Sequence, residues 1–243
     1  MLPWPSNVLS ILAIAIAGVT SGLTGFGFGL VAGPLLVLLL PVRTVVPMQT
    51  ILSWIMALSV LYEVHTWINV RDVLPLLVAG ILGVPGGTLL LLLLDARTLK
   101  LLIAAVSIAG ALAMGSGLRW RRQSSRADMV GVGLLSGLLS GSIGMGGPPV
   151  VLFFSNEALP KQAFRATLSS FFLTIGAVSL LGQAVSGLVN ASVLSGAAML
   201  FLPAWFGNLL GRLLAHKVDE ELFRRIALLV LAATSVIVVL SSL

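Results

Sequence analysis

Cysteine is absent and charge is scarce. With no thiol among its 243 residues, the chain can form no disulfide, thiolate metal site or cysteine nucleophile, and its redox compartment leaves no mark. Charged residues make up 9% against 58% hydrophobic, and the mean hydropathy is +1.12, which no water-facing surface tolerates. All 8 carboxylates, namely Glu63, Asp72, Asp95, Asp128, Glu157, Asp219, Glu220 and Glu221, fall in connections or at the ends of apolar runs. Cation and proton pumps usually carry an acid inside the membrane, and a membrane enzyme needs an acid, base or metal constellation there; the runs hold neither. The 2 histidines, His65 and His216, lack metal-site spacing and read as loop residues, with His65 the candidate for a proton relay. No Walker sequence is present, so the chain does not itself hydrolyse ATP. No cofactor and no metal are expected.

What remains is an all-α polytopic membrane protein. A spanning helix needs about 20 mostly apolar residues, and such runs occur at 46–62, 73–94, 98–118, 163–184, 193–214 and 222–242. The net charge of +6 comes from basic residues at the ends of these runs, which fits the positive-inside rule and not nucleic-acid binding. The N-terminus, MLPWPSNV, lacks the Lys or Arg of a signal-peptide n-region, so the first apolar run is expected to be retained.

Two further runs do not fit one helix each. Residues 8–40 would make a helix of about 50 Å, against a hydrocarbon core of ~30 Å, so the run must break. Gly25, Gly27, Gly29, Gly33 and Pro34 mark the place. The run at 128–155, with Gly144, Gly146, Gly147 and Pro148, has the same character. Laying Ser21-Gly22 on Ser136-Gly137 also sets Gly29 on Gly144 and Pro34 on Pro149. In the next element QTILSW (49–54) aligns with ATLSSF (166–171), pairing Thr50 with Thr167 and Ser53 with Ser170, and Gly83-x-x-x-Gly87 matches Gly207-x-x-x-Gly211. The chain thus divides into a first transmembrane repeat (1–118), a basic linker (119–127) and a second repeat (128–243).

Charge placement chooses between parallel and inverted repeats. If each broken segment returns to its starting side and the linker is cytoplasmic, Arg71, Arg119, Arg121, Arg122, Arg126, Lys161, Arg165, Arg212, Lys217, Arg224 and Arg225 lie inside. Only Arg43, Arg97 and Lys100 lie outside. The parallel arrangement puts most of the charge outside, so the expectation is two inverted repeats, each a glycine/proline-broken helical hairpin followed by three spanning helices, with both termini outside. The charges do not separate re-entrant hairpins from pairs of fully crossing short helices.

Inverted repeats with broken helices are a transporter architecture, with the site near the midplane between the repeats. A half-helix N-terminus inside the membrane offers unpaired N–H groups to an anion, and glycine lets the ligand reach the backbone. The hydroxyls of Thr50, Ser53, Ser140, Ser142, Thr167 and Ser170 can donate to oxyanion oxygens; the alternative for each is a bond to its own helix carbonyl four residues back. Arg165, close to the second break, attracts an anion or anchors its span at the cytoplasmic face. The candidate substrate-binding set is Gly25, Gly27, Gly29, Gly33, Thr50, Ser53, Ser140, Gly144, Gly146, Gly147, Arg165, Thr167 and Ser170.

The glycine-rich opening of each half, GLTGFGFGLVAGPLL and GLLSGSIGMGGPPVV, the Thr-x-x-Ser after each and the paired Gly-x-x-x-Gly spans resemble the TauE/SafE family of sulfite and organosulfonate exporters. The resemblance covers the chain from about residue 8. It implies a multi-pass protein of the cytoplasmic (inner) membrane that moves a small sulfur oxyanion such as sulfite or sulfoacetate outward, with the two breaks and their Thr/Ser elements as the substrate region. The first break has Val31-Ala32-Gly33 where the second has Gly146-Gly147-Pro148. The expected partners are the substrate anion and the lipid bilayer, with no nucleic acid and with a homodimer as a candidate assembly. An anion channel, or a carrier for another small anion, is the alternative reading.

Overall fold

In the computed structural model the described residues are 8–67, 70–115, 125–155 and 159–214. The last expected span (222–242), most of the linker, His216 and both termini lie outside them. Among the described residues every regular element is a helix, and five helices are long and apolar enough to cross a membrane.

The first half comprises α1 (Val8–Thr24), α2 (Phe28–Val37), α3 (Val42–Val64), a 3₁₀ turn (His65–Trp67), α4 (Val70–Leu93) and α5 (Ala96–Gly115). The second repeats the order with α6 (Arg126–Ile143), α7 (Gly147–Phe154), α8 (Lys161–Val185) and α9 (Ala191–Leu214). Both expected breaks are present, each a glycine turn. Gly25 (φ 81°) and Gly27 (φ 89°) separate α1 from α2, and Gly144 (φ 68°) ends α6 before Gly146 caps α7. A side chain at a positive φ costs roughly 1–2 kcal/mol, hence glycine.

Several ends are set by local chemistry. α6 starts at Arg126, inside the segment read as linker, because Ser125 and Asp128 close a reciprocal capping box. Asp95 begins α5: it accepts hydrogen bonds from the Thr98 hydroxyl and from the Thr98 and Arg97 N–H groups. These bonds, the Thr98 hydroxyl first, hold its carboxyl below the usual carboxylate range. Arg43, at the start of α3, donates to the carbonyls of Leu92 and Leu94 at the end of α4.

Close packing is carried by glycine. On α6, a Cβ at Gly133, Gly137 or Gly141 would overlap the carbonyl oxygens of Leu76, Gly80 and Val84 on α4. On α4, Gly83 and Gly87 answer against Leu134 and Leu138. Gly18 and Gly22 of α1 sit in the same way on Ala204 and Asn208 of α9, and Gly207 and Gly211 on Ala15 and Val19. In both pairs the residue numbers rise together, so the helices are parallel and their backbones nearly touch, as small-residue interfaces in membranes allow.

The positive-φ glycines at the two breaks, Gly25 and Gly144, lie 119 residues apart. Gly18, Gly22, Gly25, Gly27 and Pro41 occupy the places of Gly137, Gly141, Gly144, Gly146 and Pro160, each pair 119 residues apart. That is one helical turn from the alignment of Ser21-Gly22 with Ser136-Gly137. At that spacing Thr50 and Ser53 fall on Ser169 and Phe172, two residues beyond Thr167 and Ser170.

Directions follow from the same contacts. α3 and α8 are antiparallel: Trp54 donates to the Leu173 carbonyl (2.9 Å) while Glu63 meets Arg165 (3.4 Å). α2 runs against α5, with Leu30 near Gly110 and Gly33 near Ile103. The end of α1 packs beside Arg212 of α9, which also pairs with Glu63 at the end of α3. The chain thus enters along α1, turns at Gly25–Gly27 and comes back along α2 to start α3 at the opposite end.

Candidate functional site

The two breaks meet. A Cβ on Gly29 would lie 2.8 Å from the Gly144 carbonyl oxygen, and Gln49 of α3 donates to the Ile143 carbonyl at 2.7 Å. That bond occupies one of the four carbonyls left over at the end of α6. Around this junction lies a cavity of ≈ 80 Å³, room for a small anion. The first break lines it from Gly25 to Leu30 and the second with Gly144, Met145, Gly146 and Gly147; α1 and α6 add Ser21 and Ser140, α3 adds Thr50, Ser53, Trp54 and Ala57, and α8 adds Phe172 and Gly176.

Of the residues expected to bind substrate, Gly25, Gly27, Gly29, Thr50, Ser53, Ser140, Gly144, Gly146 and Gly147 share this cavity. Gly33 does not: it is packed between Met145, Gln49 and Ile103. Thr167 and Ser170 lie outside the lining as well, Thr167 buried and Ser170 bonded to the Ala166 carbonyl at 2.7 Å. Arg165 stands behind the wall, its Cγ 3.3 Å from where a Gly25 Cβ would be. Ser142 bonds the Leu138 carbonyl. His65 lies in an exposed turn with its Nδ1 at the Tyr62 carbonyl, away from the cavity.

The polar groups at the cavity differ in availability. Thr50 donates to the Val46 carbonyl four residues back (2.8 Å), and Ser140 shares a hydrogen bond with Ser179 (3.1 Å). Ser53 has a buried hydroxyl with no partner among the described residues. A buried hydroxyl left unpaired costs about 1–3 kcal/mol, so one on a residue that lines a cavity is a reason to look for a ligand.

The backbone is also unequal. Val31 makes the first bond of α2, to the Gly27 carbonyl, so the N–H groups of Phe28, Gly29 and Leu30 precede the helical ladder. Together with the helix dipole they form an anion-binding end. In α7 the second and third positions are Pro148 and Pro149, which have no N–H, so this end keeps Gly147 as the donor of its first turn. The first break therefore carries the stronger anion end. Among the described residues no carboxylate lines the cavity.

Beneath Gly25, Glu63 bridges two guanidiniums, Arg165 and Arg212. Sequence reasoning singled out Arg165 alone. The signal for the other two was available: under inverted repeats an acid ending one span falls on the same face as arginines at the ends of two others.

The sequence model of the family described as "Sulfite exporter TauE/SafE" matches residues 10–238. Among curated proteins, the chain is similar to the "Probable sulfite/organosulfonate exporter TauE" of Cupriavidus necator, 28% identical over 215 residues, covering 84% of this chain and 82% of the relative. No solved structure matches significantly. With nearly its whole length inside the family's model and its helices long and apolar enough to span a bilayer, the chain is a membrane protein that belongs to the sulfite exporter TauE/SafE family.

Proposed function

We propose that the protein is a secondary transporter that exports small sulfur-containing oxyanions, sulfite or a short organosulfonate, across the cytoplasmic membrane by alternating access. The observation that carries this reading is the cavity at the meeting of the two breaks, which combines the N-terminal N–H groups of α2, an unpartnered Ser53 hydroxyl and no carboxylate. The oxyanion accepts hydrogen bonds from these N–H groups and from Ser53, and the apolar wall of Phe26, Phe28, Trp54 and Phe172 excludes water and strengthens each of them. The relative's name, an exporter of sulfite and organosulfonates, favours the same substrate class.

The two-repeat rocking mechanism draws support from α3 and α8, which occupy equivalent places 119 residues apart and run antiparallel across the cavity. Equivalent helices of opposite direction are what an axis in the membrane plane produces. In this reading the end bearing Glu63, Arg165 and Arg212 is cytoplasmic. An interior-negative potential then drives an anion outward with about 2.3 kcal/mol per charge per 100 mV. No step requires a protein carboxylate inside the membrane.

Counterflow in proteoliposomes tests the proposal. Vesicles loaded with unlabelled sulfite or sulfoacetate should transiently accumulate labelled sulfite, and chloride- or sulfate-loaded vesicles should not. Flux that never saturates and shows no counterflow would instead identify a channel, and the absence of any sulfite movement would overturn the substrate class.

A further inference from the structure

We infer that Arg165 and Arg212 form a second anion subsite, at the mouth of the cavity, which Glu63 occupies as an internal substitute for the substrate. This inference rests on the transport reading above. Glu63 lies at the end of α3 and reaches Arg165 on α8 and Arg212 on α9, so one carboxylate bridges two guanidiniums and the trio keeps one net positive charge. The arginine side chains are only 16% and 17% exposed, whereas Glu63 is 39% exposed. The cations are thus fixed in the wall and the acid is at the rim. Arg212 also has a buried Nε that no acceptor among the described residues reaches, so Glu63 satisfies only part of the fork. Planar guanidiniums pair with carboxylates and with other oxyanions through the same two-pronged geometry. A sulfite or sulfonate arriving at this end can therefore take the place of Glu63, engage Arg212 more fully and stand one residue away from the cavity, since Arg165 packs on Gly25 and Gly25 lines it.

The opposite end of the molecule shows that the trio is not a consequence of the repeat. In the register of the halves, Glu63 corresponds to Gly182, Arg165 to Val46 and, 124 residues earlier, Arg212 to Thr88. Gly182 and Thr88 are neighbours too, because a Cβ on Gly182 would lie 3.1 Å from the Thr88 hydroxyl oxygen. There the place of the ion pair is taken by close neutral packing, with Thr88 bonded to the Val84 carbonyl. The same position in the fold is charged at one end and uncharged at the other, so anion capture belongs to one face of the membrane.

The test is calorimetric titration of sodium sulfite into the purified full chain and three variants, with thermal melting recorded for each. Glu63→Gln keeps the shape and removes the competing charge; sulfite affinity should rise about tenfold, the scale of one charge-assisted hydrogen bond. Arg212→Lys keeps the charge and the pairing with Glu63 but loses the fork; affinity should fall about tenfold. The Glu63→Gln gain should persist in a Ser53→Ala background, since the two subsites are separate. An unchanged or weakened affinity in Glu63→Gln, or an unchanged one in Arg212→Lys if Glu63→Gln does not fold, overturns the subsite while sulfite exchange by the parent chain leaves the central cavity standing. A parent chain that neither binds nor exchanges sulfite overturns both.

Discussion

Replacing Ser53 by alanine separates what the fold needs from what the ligand needs, because the two effects have opposite signs. The Ser53 hydroxyl is buried without a partner among the described residues, whereas the Thr50 hydroxyl one turn earlier is bonded to the Val46 carbonyl. Removing an unpaired buried hydroxyl takes away a cost of about 1–3 kcal/mol, so Ser53→Ala should melt at or above the parent temperature. With an oxyanion bound, the same hydroxyl donates a charge-assisted hydrogen bond worth about 1.5–3 kcal/mol, and its loss should weaken half-saturation by roughly ten- to a hundred-fold. Initial rates of labelled sulfite counterflow over a range of external sulfite measure this directly. Ser170→Ala supplies the control: that hydroxyl bonds the Ala166 carbonyl outside the cavity, and half-saturation should not move. An unchanged half-saturation in Ser53→Ala, or a change of equal size in Ser170→Ala, would refute the assignment of substrate to the cavity wall at α3.

Three further outcomes follow from the packing and the caps. Gly137→Ala should lower the melting temperature by the equivalent of about 1–3 kcal/mol through overlap with the Gly80 carbonyl, while Gly86→Ala and Gly131→Ala, where a Cβ meets nothing within 4 Å, should be silent in the same thermal assay. Gly144→Ala should cost roughly 1–2 kcal/mol for its positive φ and also displace the Gln49 amide from the Ile143 carbonyl, lowering both melting temperature and transport rate. Asp95 titrates at a lowered value when folded, so its cap stabilises above the unfolded value and is lost as pH falls through the folded one. The difference in melting temperature between the parent and Asp95→Asn, positive at neutral pH, should close below about pH 4.

Much of this architecture is legible in the sequence. The length of the run 8–40 forces a break, and the break falls at Gly25–Gly27; five spans appear within a few residues of their expected places. The register of the repeat was not legible, for a physical reason. The stripes Gly18/Gly22 and Gly133/Gly137/Gly141 repeat every four residues, so sliding one turn matches glycine to glycine equally well. Only the positive-φ caps, Gly25 with Gly144, distinguish the two registers, and backbone angles are not written in composition. The Thr-x-x-Ser elements match 117 residues apart, two short of the 119 between the breaks, and that match points to Thr167 and Ser170 in place of Phe172 and Gly176, which line the cavity. The contrast between α2 and α7 was readable from Pro148-Pro149 once the helix starts were known. The bridging of Arg165 and Arg212 by Glu63 joins three helices, and no local pattern announces it.

The central claim is that the substrate sits in the cavity between the breaks, and the natural absence of cysteine makes it directly measurable. Ala57 lines the cavity and Arg97 lies exposed in the first turn of α5. Ala57→Cys and Arg97→Cys would each carry the chain's single thiol, and a small maleimide would report its accessibility with and without sulfoacetate, an oxyanion that leaves maleimide and thiol intact. Slower labelling of Ala57→Cys with rising sulfoacetate, and no change at Arg97→Cys, is the predicted result. Equal rates with and without sulfoacetate, in protein that still performs counterflow, would place the substrate elsewhere.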